Sequence, residues 1–209
     1  MIAIKINKIE FHCRNIEDHL WLLQTAKNKN KSIPLLAEKI QAKFTSSIDN
    51  IVASESEILI YGSNGFKLDI LDGIELGWAS IKNKIFPVHV NLDQGLDWDR
   101  VIKISGKTIL EFKQMLLKSK FTVCMYGFRP GFLYLNGLAP PYHIPRMELP
   151  RKEVMAGSLA LGGKYIGIYG SSAPAGWNII GQTNFVIKDF QSVDSLPSIK
   201  QKIKFIIEE

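Results

Sequence analysis

Ile2, Ile4 and Ile6 alternate with small or polar neighbours at the start of the chain. This two-residue period belongs to a half-buried strand and predicts one over residues 2–7. The period then lengthens. Ile16, Leu20, Leu23 and Ala26 fall on one helical face, predicting a helix over 16–27 with Asn15 as its cap and His19 as an ordinary helix residue beside the stripe. Ser32 and Pro34 mark the start of a second helix, in which Ile33, Leu36, Ala37, Ile40 and Phe44 face a core. A polar turn at 28–31 joins the two. Short β-branched runs at 47–54 and 57–62, on either side of a polar Glu-Ser-Glu, predict a hairpin. Phe66, Ile70, Ile74 and Trp78 recur every four residues and suit a helix despite Gly73 and Gly77, and residues 84–90 return to a strand pattern. Residues 1–90 therefore form, on expectation, a small α+β domain with helices over one face of a sheet.

Residues 95–119 predict two helical pieces broken at Ser105-Gly106-Lys107. The texture changes at Phe121. Short apolar runs at 121–126, 158–163, 165–170 and 184–190 are separated by Gly, Pro and Ser clusters, as in an all-β barrel or sandwich. Ile203, Phe205 and Ile207 alternate in the tail and lean towards a final strand. The expected second domain is residues 91–209.

Composition narrows the picture further. A chain of 209 residues with 46% hydrophobic composition can bury one sizeable core or two small ones. Its apolar runs fall well short of the roughly 20 residues that cross a bilayer. The opening residues lack a basic segment leading into an apolar core, so a cytoplasmic location with no membrane partner is expected. The formal charge of +6 is scattered. Its densest cluster, Lys27 to Lys31, has no interleaved aromatic residues for stacking on bases, which argues for a solvated segment and against a nucleic-acid partner. Lys107 follows no glycine-rich run, so it reads as a turn lysine and not a nucleotide ligand. Cys13 and Cys124 make no disulfide framework, and Cys124 reads as a buried thiol. Histidines at 12, 19, 89 and 143 lack metal-site spacing, so no metal is expected.

Candidate chemistry concentrates in three loops of the second half: "GFRPGFLYL" from 127, "PYHIPRMELPRKEVMAGS" from 141 and "SSAPAGWNIIGQTN" from 171. Proline fixes φ and glycine admits positive φ, so these loops are shaped. Arg146 and Arg151 can fork around a carboxylate if the chain between them curves. They can equally be exposed loop arginines, or pair with Glu148 and Glu153. Arg129 stands on a turn among Phe128, Phe132 and Tyr134, either as a cleft charge or as a surface arginine. Tyr134, Tyr142 and Trp177 suit a pocket wall or a plug at the end of a barrel. Ser158, Ser171, Ser172, Gln182 and Thr183 are candidate hydrogen-bonding groups, and His143 is a candidate acid/base.

The ordered set Gly127, Phe128, Pro130 to Phe132, Tyr134, Leu135, Pro145, Arg146, Pro150, Arg151, Val154, Ala156 to Ser158, Ala160, Gly167 to Tyr169, Pro174, Gly176, Trp177, Gly181 and Thr183 closely resembles the family of 5-oxoprolinase B subunits. That family also includes the kinase inhibitor KipI and allophanate hydrolase subunit 1-like carboxyltransferase domains. The resemblance implies an N-terminal α+β domain followed by an all-β cyclophilin-like barrel. It implies a subunit of an ATP-dependent complex that opens the lactam of 5-oxoproline to glutamate, active only with a subunit-C-like cyclophilin-fold partner and a subunit-A-like protein. ATP, with Mg, would act in the assembled complex and not bind tightly to this chain alone. A KipI-like inhibitor that binds a sensor histidine kinase is the alternative. Carried onto this sequence, the resemblance implies a cleft for a small anionic substrate lined by Arg146 and Arg151 and shaped by Phe128, Phe132, Tyr134 and Trp177. Arg129 and Ser158 are further candidates, and no nucleophile or base is assigned. The chain departs from the family pattern at Leu96, Arg129, Gly170 and Ala175, and lacks a histidine in the helix before Phe121.

Overall fold

The computed structural model describes residues 2–25, 32–77, 85–185 and 196–208. The chain divides into two compact units, Met1–Ser80 and Ile81–Glu209.

In the first unit, strands β1 (Ile2–Ile6), β2 (Ile9–Glu17), β3 (Leu20–Thr25), β4 (Ile48–Ala53) and β5 (Glu57–Gly62) form an antiparallel sheet in the order β1-β2-β3-β5-β4. Helix α1 (Ile33–Lys43) begins with proline in its first turn and buries Ile33, Leu36, Ala37 and Ile40. These residues share a core with Ile4, Ile6, Phe11, Leu23, Ile58 and Ile60 of the sheet. The opening strand, the helix after Ser32 and the hairpin follow the sequence pattern.

Two expected helices are absent from the described residues. Most of the 16–27 helix is the end of β2, a turn at His19 with φ 61°, and β3; its last two residues lie outside the described set. The helical spacing of Ile16, Leu20, Leu23 and Ala26 was coincidental. Pairing Leu22 with Leu59 and Leu23 with Ile58 satisfies the backbone along a run whose neighbours Trp21 and Leu22 are also apolar, so tertiary pairing overrides local pattern. Over 66–77 only Leu68–Leu71 forms a 3-10 turn, while Gly73 takes φ 69°. Asn7 holds the rest: its amide donates to the Leu76 carbonyl at 2.9 Å. Residues 78–81 of that expected helix lie outside the described set.

The second unit is a closed barrel. It contains β6 (Phe86–Asn91), β7 (Phe121–Gly127), β8 (Arg129–Asn136), β10 (Ser158–Gly162), β11 (Tyr165–Ile168), β13 (Asn178–Thr183) and β14 (Lys202–Ile207), in the order β10-β11-β8-β7-β14-β6-β13. The tail is the strand that the alternation predicts, running parallel to β6 and antiparallel to β7. Because β6 pairs with β13 and β14, it is a barrel strand, and the expected domain boundary at 90/91 moves upstream of it. A small ladder of β9 (Arg151–Val154) and β12 (Ala173–Ala175) stands apart from the barrel sheet. Helices α2 (Trp98–Ser105) and α3 (Ile109–Lys118) separate β6 from β7. Gly106 ends α2 with φ 65°, and Thr108 and Glu111 form a reciprocal cap on α3. Lys107 pairs with Glu111 at 3.0 Å, as suits a turn lysine. Of the expected strand at 184–190, all but Asn184 and Phe185 lies outside the described residues, and those two are not in a strand.

Both cysteines are buried thiols. Burial pushes the Cys13 thiol up to about 11. No described helix is long and apolar enough to cross a membrane.

Gly137 follows β8 with φ 119°, and a Cβ there would meet the Lys120 carbonyl oxygen at 2.3 Å. Gly137→Ala should therefore destabilise the protein by about 2 kcal/mol or more, read as a lower urea midpoint at unchanged m-value.

Candidate functional site

The loop carrying Arg146 is fixed to the barrel by backbone geometry. The Gly163 amide donates to the Ile144 carbonyl at 2.7 Å, and the Met147 amide donates to the Gly176 carbonyl at the same distance. Between them Asn178, fully buried at the start of β13, donates its side-chain amide to the carbonyls of Pro145 and Leu161, both at 3.0 Å. Its oxygen accepts from Arg100 Nε at 2.9 Å. A buried amide with all these bonds made cannot turn without losing several of them.

Arg151, expected in the cleft, is committed elsewhere. Its guanidinium forks onto Asp97, Nη1 reaching Oδ2 at 3.0 Å and Nη2 reaching Oδ1. The Asp97 side chain is 6% exposed and that of Arg151 28%. Oδ2 also accepts the Ile179 amide at 2.6 Å, while the Asp97 amide donates to the Ile179 carbonyl at 3.0 Å. The partner is thus neither Glu148 nor Glu153. Arg151 is a structural clamp joining β9, the start of α2 and β13, and the two arginines do not form a fork.

Arg146 is placed differently. Its guanidinium carbon lies 5.5 Å from the centre of the Trp177 ring, a cation–π contact, and among the described residues no carboxylate pairs with it. It lines a cavity of about 310 Å³. Five aromatic residues, Phe128, Phe132, Tyr134, Tyr169 and Trp177, form most of the wall, with Met147, Pro150 and Pro174 to Gly176 completing it. Phe132 is the hub. Its ring meets those of Tyr134 at 4.6 Å, Tyr169 at 4.7 Å, Phe128 at 5.4 Å and Trp177 at 5.5 Å, all edge to face. Trp177 lies against bare backbone: a Cβ on Gly162 would meet the indole at 2.2 Å, and one on Gly167 would meet Phe132 at 2.6 Å and the indole at 2.8 Å.

Two departures from the family pattern also acquire physical reasons. A Cβ on Gly170 would lie 2.6 Å from the Gly131 carbonyl oxygen, so the bulge at Pro130 to Phe132 leaves no room for a side chain there. Ala175 adds a methyl group to the cavity wall.

Phe128 stands at the apex between β7 and β8, where Gly127 pairs with Arg129, and takes φ 66°. For a non-glycine residue this conformation costs roughly 1–2 kcal/mol. The ring is nevertheless exposed at the cavity mouth.

Burial raises both phenols of the wall above the ordinary tyrosine value. Tyr169 is pushed up to about 12, mainly by burial and secondarily by Tyr134, against the opposing pull of Arg146 and Arg151. Tyr134 is raised by burial, which outweighs the lowering effect of Arg146. Neither hydroxyl has a protein hydrogen-bond partner among the described residues. The cavity thus offers one cation over Trp177 and two un-ionised hydroxyls in a largely aromatic wall. Among the described residues its wall contains no Asp, Glu, His, Ser or Cys. It can hold a small anion with a flat face and a second acceptor, and it lacks a nucleophile or base.

Of the residues expected in the cleft, Arg146, Phe128, Phe132, Tyr134 and Trp177 line this cavity; Arg129, Ser158, His143 and Arg151 do not. Arg129 is exposed outside the wall because the apex turns Phe128, and not its neighbour, to the cavity mouth. Ser158 is buried in β10, where its hydroxyl reaches the Gln182 side-chain oxygen at 3.4 Å. His143 Nε2 donates to the Leu138 carbonyl at 3.0 Å, which fixes the ring in the turn and away from the cavity. Tyr142 packs edge-on against Phe112 at 5.0 Å. Tyr169 was not among the expected cleft residues, although it belongs to the ordered set that carries the family resemblance. Met147, Pro150 and Pro174 lay in loops already singled out by their prolines. Among the described residues no His, Cys, Asp or Glu cluster is suited to hold a metal ion.

The two arginines should separate experimentally. Arg151→Ala leaves a buried carboxylate uncompensated and should cost about 3 kcal/mol or more, whereas Arg146→Ala should stay within about 1 kcal/mol, both read by urea unfolding. Alkaline titration followed at 295 nm should show a last phenol ionising near pH 12 that disappears in Tyr169→Phe. Because the folded value is raised, this group's stabilising contribution is fully present below about pH 10 and is lost as pH rises towards 12.

The model of the carboxyltransferase domain, subdomain C and D, matches residues 11–197. A 5-oxoprolinase B subunit from Haemophilus influenzae is 36% identical over 147 residues, covering 66% of this chain and 69% of the relative. Among solved structures, TTHA0988 aligns with a TM-score of 0.77 at 22% identity, covering 95% of this chain and 41% of that one. The urea amidolyase of K. lactis aligns with a TM-score of 0.68 at 15% identity, covering all of this chain and 16% of that one. The chain therefore spans about two-fifths of the TTHA0988 chain and a small part of the amidolyase, and these two likenesses concern the fold. With the family model matched across nearly its whole length, the chain belongs to the carboxyltransferase-domain family, subdomains C and D.

Proposed function

We propose that this chain is a subunit of an ATP-dependent 5-oxoprolinase-like complex and that its cavity receives 5-oxoproline. The observation that carries this reading is the Arg146 guanidinium, without a carboxylate partner among the described residues, beside two un-ionised phenols in an aromatic box. The carboxylate of 5-oxoproline would lie against Arg146, its flat lactam ring against the aromatic wall, and its carbonyl oxygen within reach of a tyrosine hydroxyl. Donors aimed at that oxygen favour negative charge as it develops there. The Haemophilus influenzae relative, a 5-oxoprolinase B subunit, supports the same reading.

The cavity residues do not fit a nucleotide: the wall offers a single cation, and Lys107 is held by Glu111. ATP with its Mg, and the missing nucleophile or base, would therefore belong to partner chains of the subunit-A-like and subunit-C-like kinds. The alignment of this chain with 16% of a larger urea amidolyase is in keeping with a module that works beside others. No feature of the cavity favours the kinase-inhibitor alternative.

Co-expression with subunit-A-like and subunit-C-like chains from the same cell should yield a complex with 5-oxoproline-dependent ATP hydrolysis. In that complex Arg146→Ala should lower kcat/KM at least about 100-fold, in line with loss of a charge-assisted contact. A complete, folded complex without such turnover refutes the proposal.

A further inference from the structure

We propose that Phe128 is a ring clamp that makes the cavity select flat, cyclic acids over open-chain ones. The inference rests on reading the cavity as an anion site and extends it to substrate selectivity. Phe128 combines two unfavourable features: a left-handed backbone conformation, and exposure of 59% for a large apolar residue. Its neighbour Gly127, which would adopt positive φ without strain, does not carry it; the chain places the conformation on the aromatic residue instead.

The ring is nonetheless held. It stands edge-on to Phe132 at 5.4 Å and to Tyr169 at 6.3 Å, both themselves buried in the cavity wall. The broken register at Tyr126 and Gly127 sets the apex that carries it. A pinned, exposed aromatic face at the mouth of an aromatic cavity gains most from a second flat ring. An extended chain of the same charge covers less of it and loses more rotational freedom on binding. For a lactam-opening reaction the clamp would hold the cyclic substrate and release its open-chain product.

The test is isothermal titration calorimetry on the full chain with 5-oxoproline, the planar furan-2-carboxylate and the open-chain N-acetylalanine. The parent protein should bind the cyclic acids at least ten-fold more tightly than the open-chain acid. Phe128→Gly should bring the three within about two-fold, with the melting temperature within about 3 °C because relief of backbone strain offsets lost ring contacts. Phe128→Leu, which keeps bulk without a flat face, should give the same loss of selectivity. Retained selectivity in both variants, or none in the parent, overturns the clamp; so does failure of all three acids to bind. Tight binding of furan-2-carboxylate without 5-oxoproline would uphold the clamp and sink the 5-oxoproline reading.

Discussion

The cavity depends on one ion pair built on a buried carboxylate. Asp97 reaches the Ile179 backbone with one oxygen and Arg151 with both, and so fastens the ends of three separate segments at a single carboxylate. Taking a carboxylate and a guanidinium out of water is costly, and the fork-shaped geometry with an added backbone amide is what compensates it. From this point the chain between Pro145 and Arg151 has both ends defined: Asn178 holds one and Asp97 the other. Arg146 can then stand over Trp177 without the loop collapsing onto it.

A division of labour between two similar residues follows. Arg146 and Arg151 have the same side chain and both follow a proline, yet one is consumed by structure and the other left for a ligand. The difference lies in which carboxylate each can reach. Asp97 is distant in sequence and comes to Arg151 only because its own amide is registered against Ile179 in β13.

That long-range dependence explains what could be read from the sequence. The barrel was legible because strand period, turn residues and the tail alternation are local signals, and the aromatic wall because four of its five rings sit in glycine- and proline-marked loops. Arg151's commitment was not legible, since nothing near residue 151 announces Asp97. Tyr169 was missed as a wall residue because it stands just beyond β11, where its amide is bonded to the distant Ser158 carbonyl of β10. The supposed helix at 16–27 failed for the converse reason: a local spacing was real, but a neighbouring strand offered its backbone better partners.

Where Trp177 meets Gly162 and Gly167 it rests directly on backbone, while Phe132 meets it edge to face. Its indole therefore sits like a plate on a bench, with no rotamer beneath it to settle when a guest arrives. Entry of a ligand should freeze little motion on that side of the cavity, so affinity there is governed by shape and charge, and widening the floor would require moving the barrel wall itself.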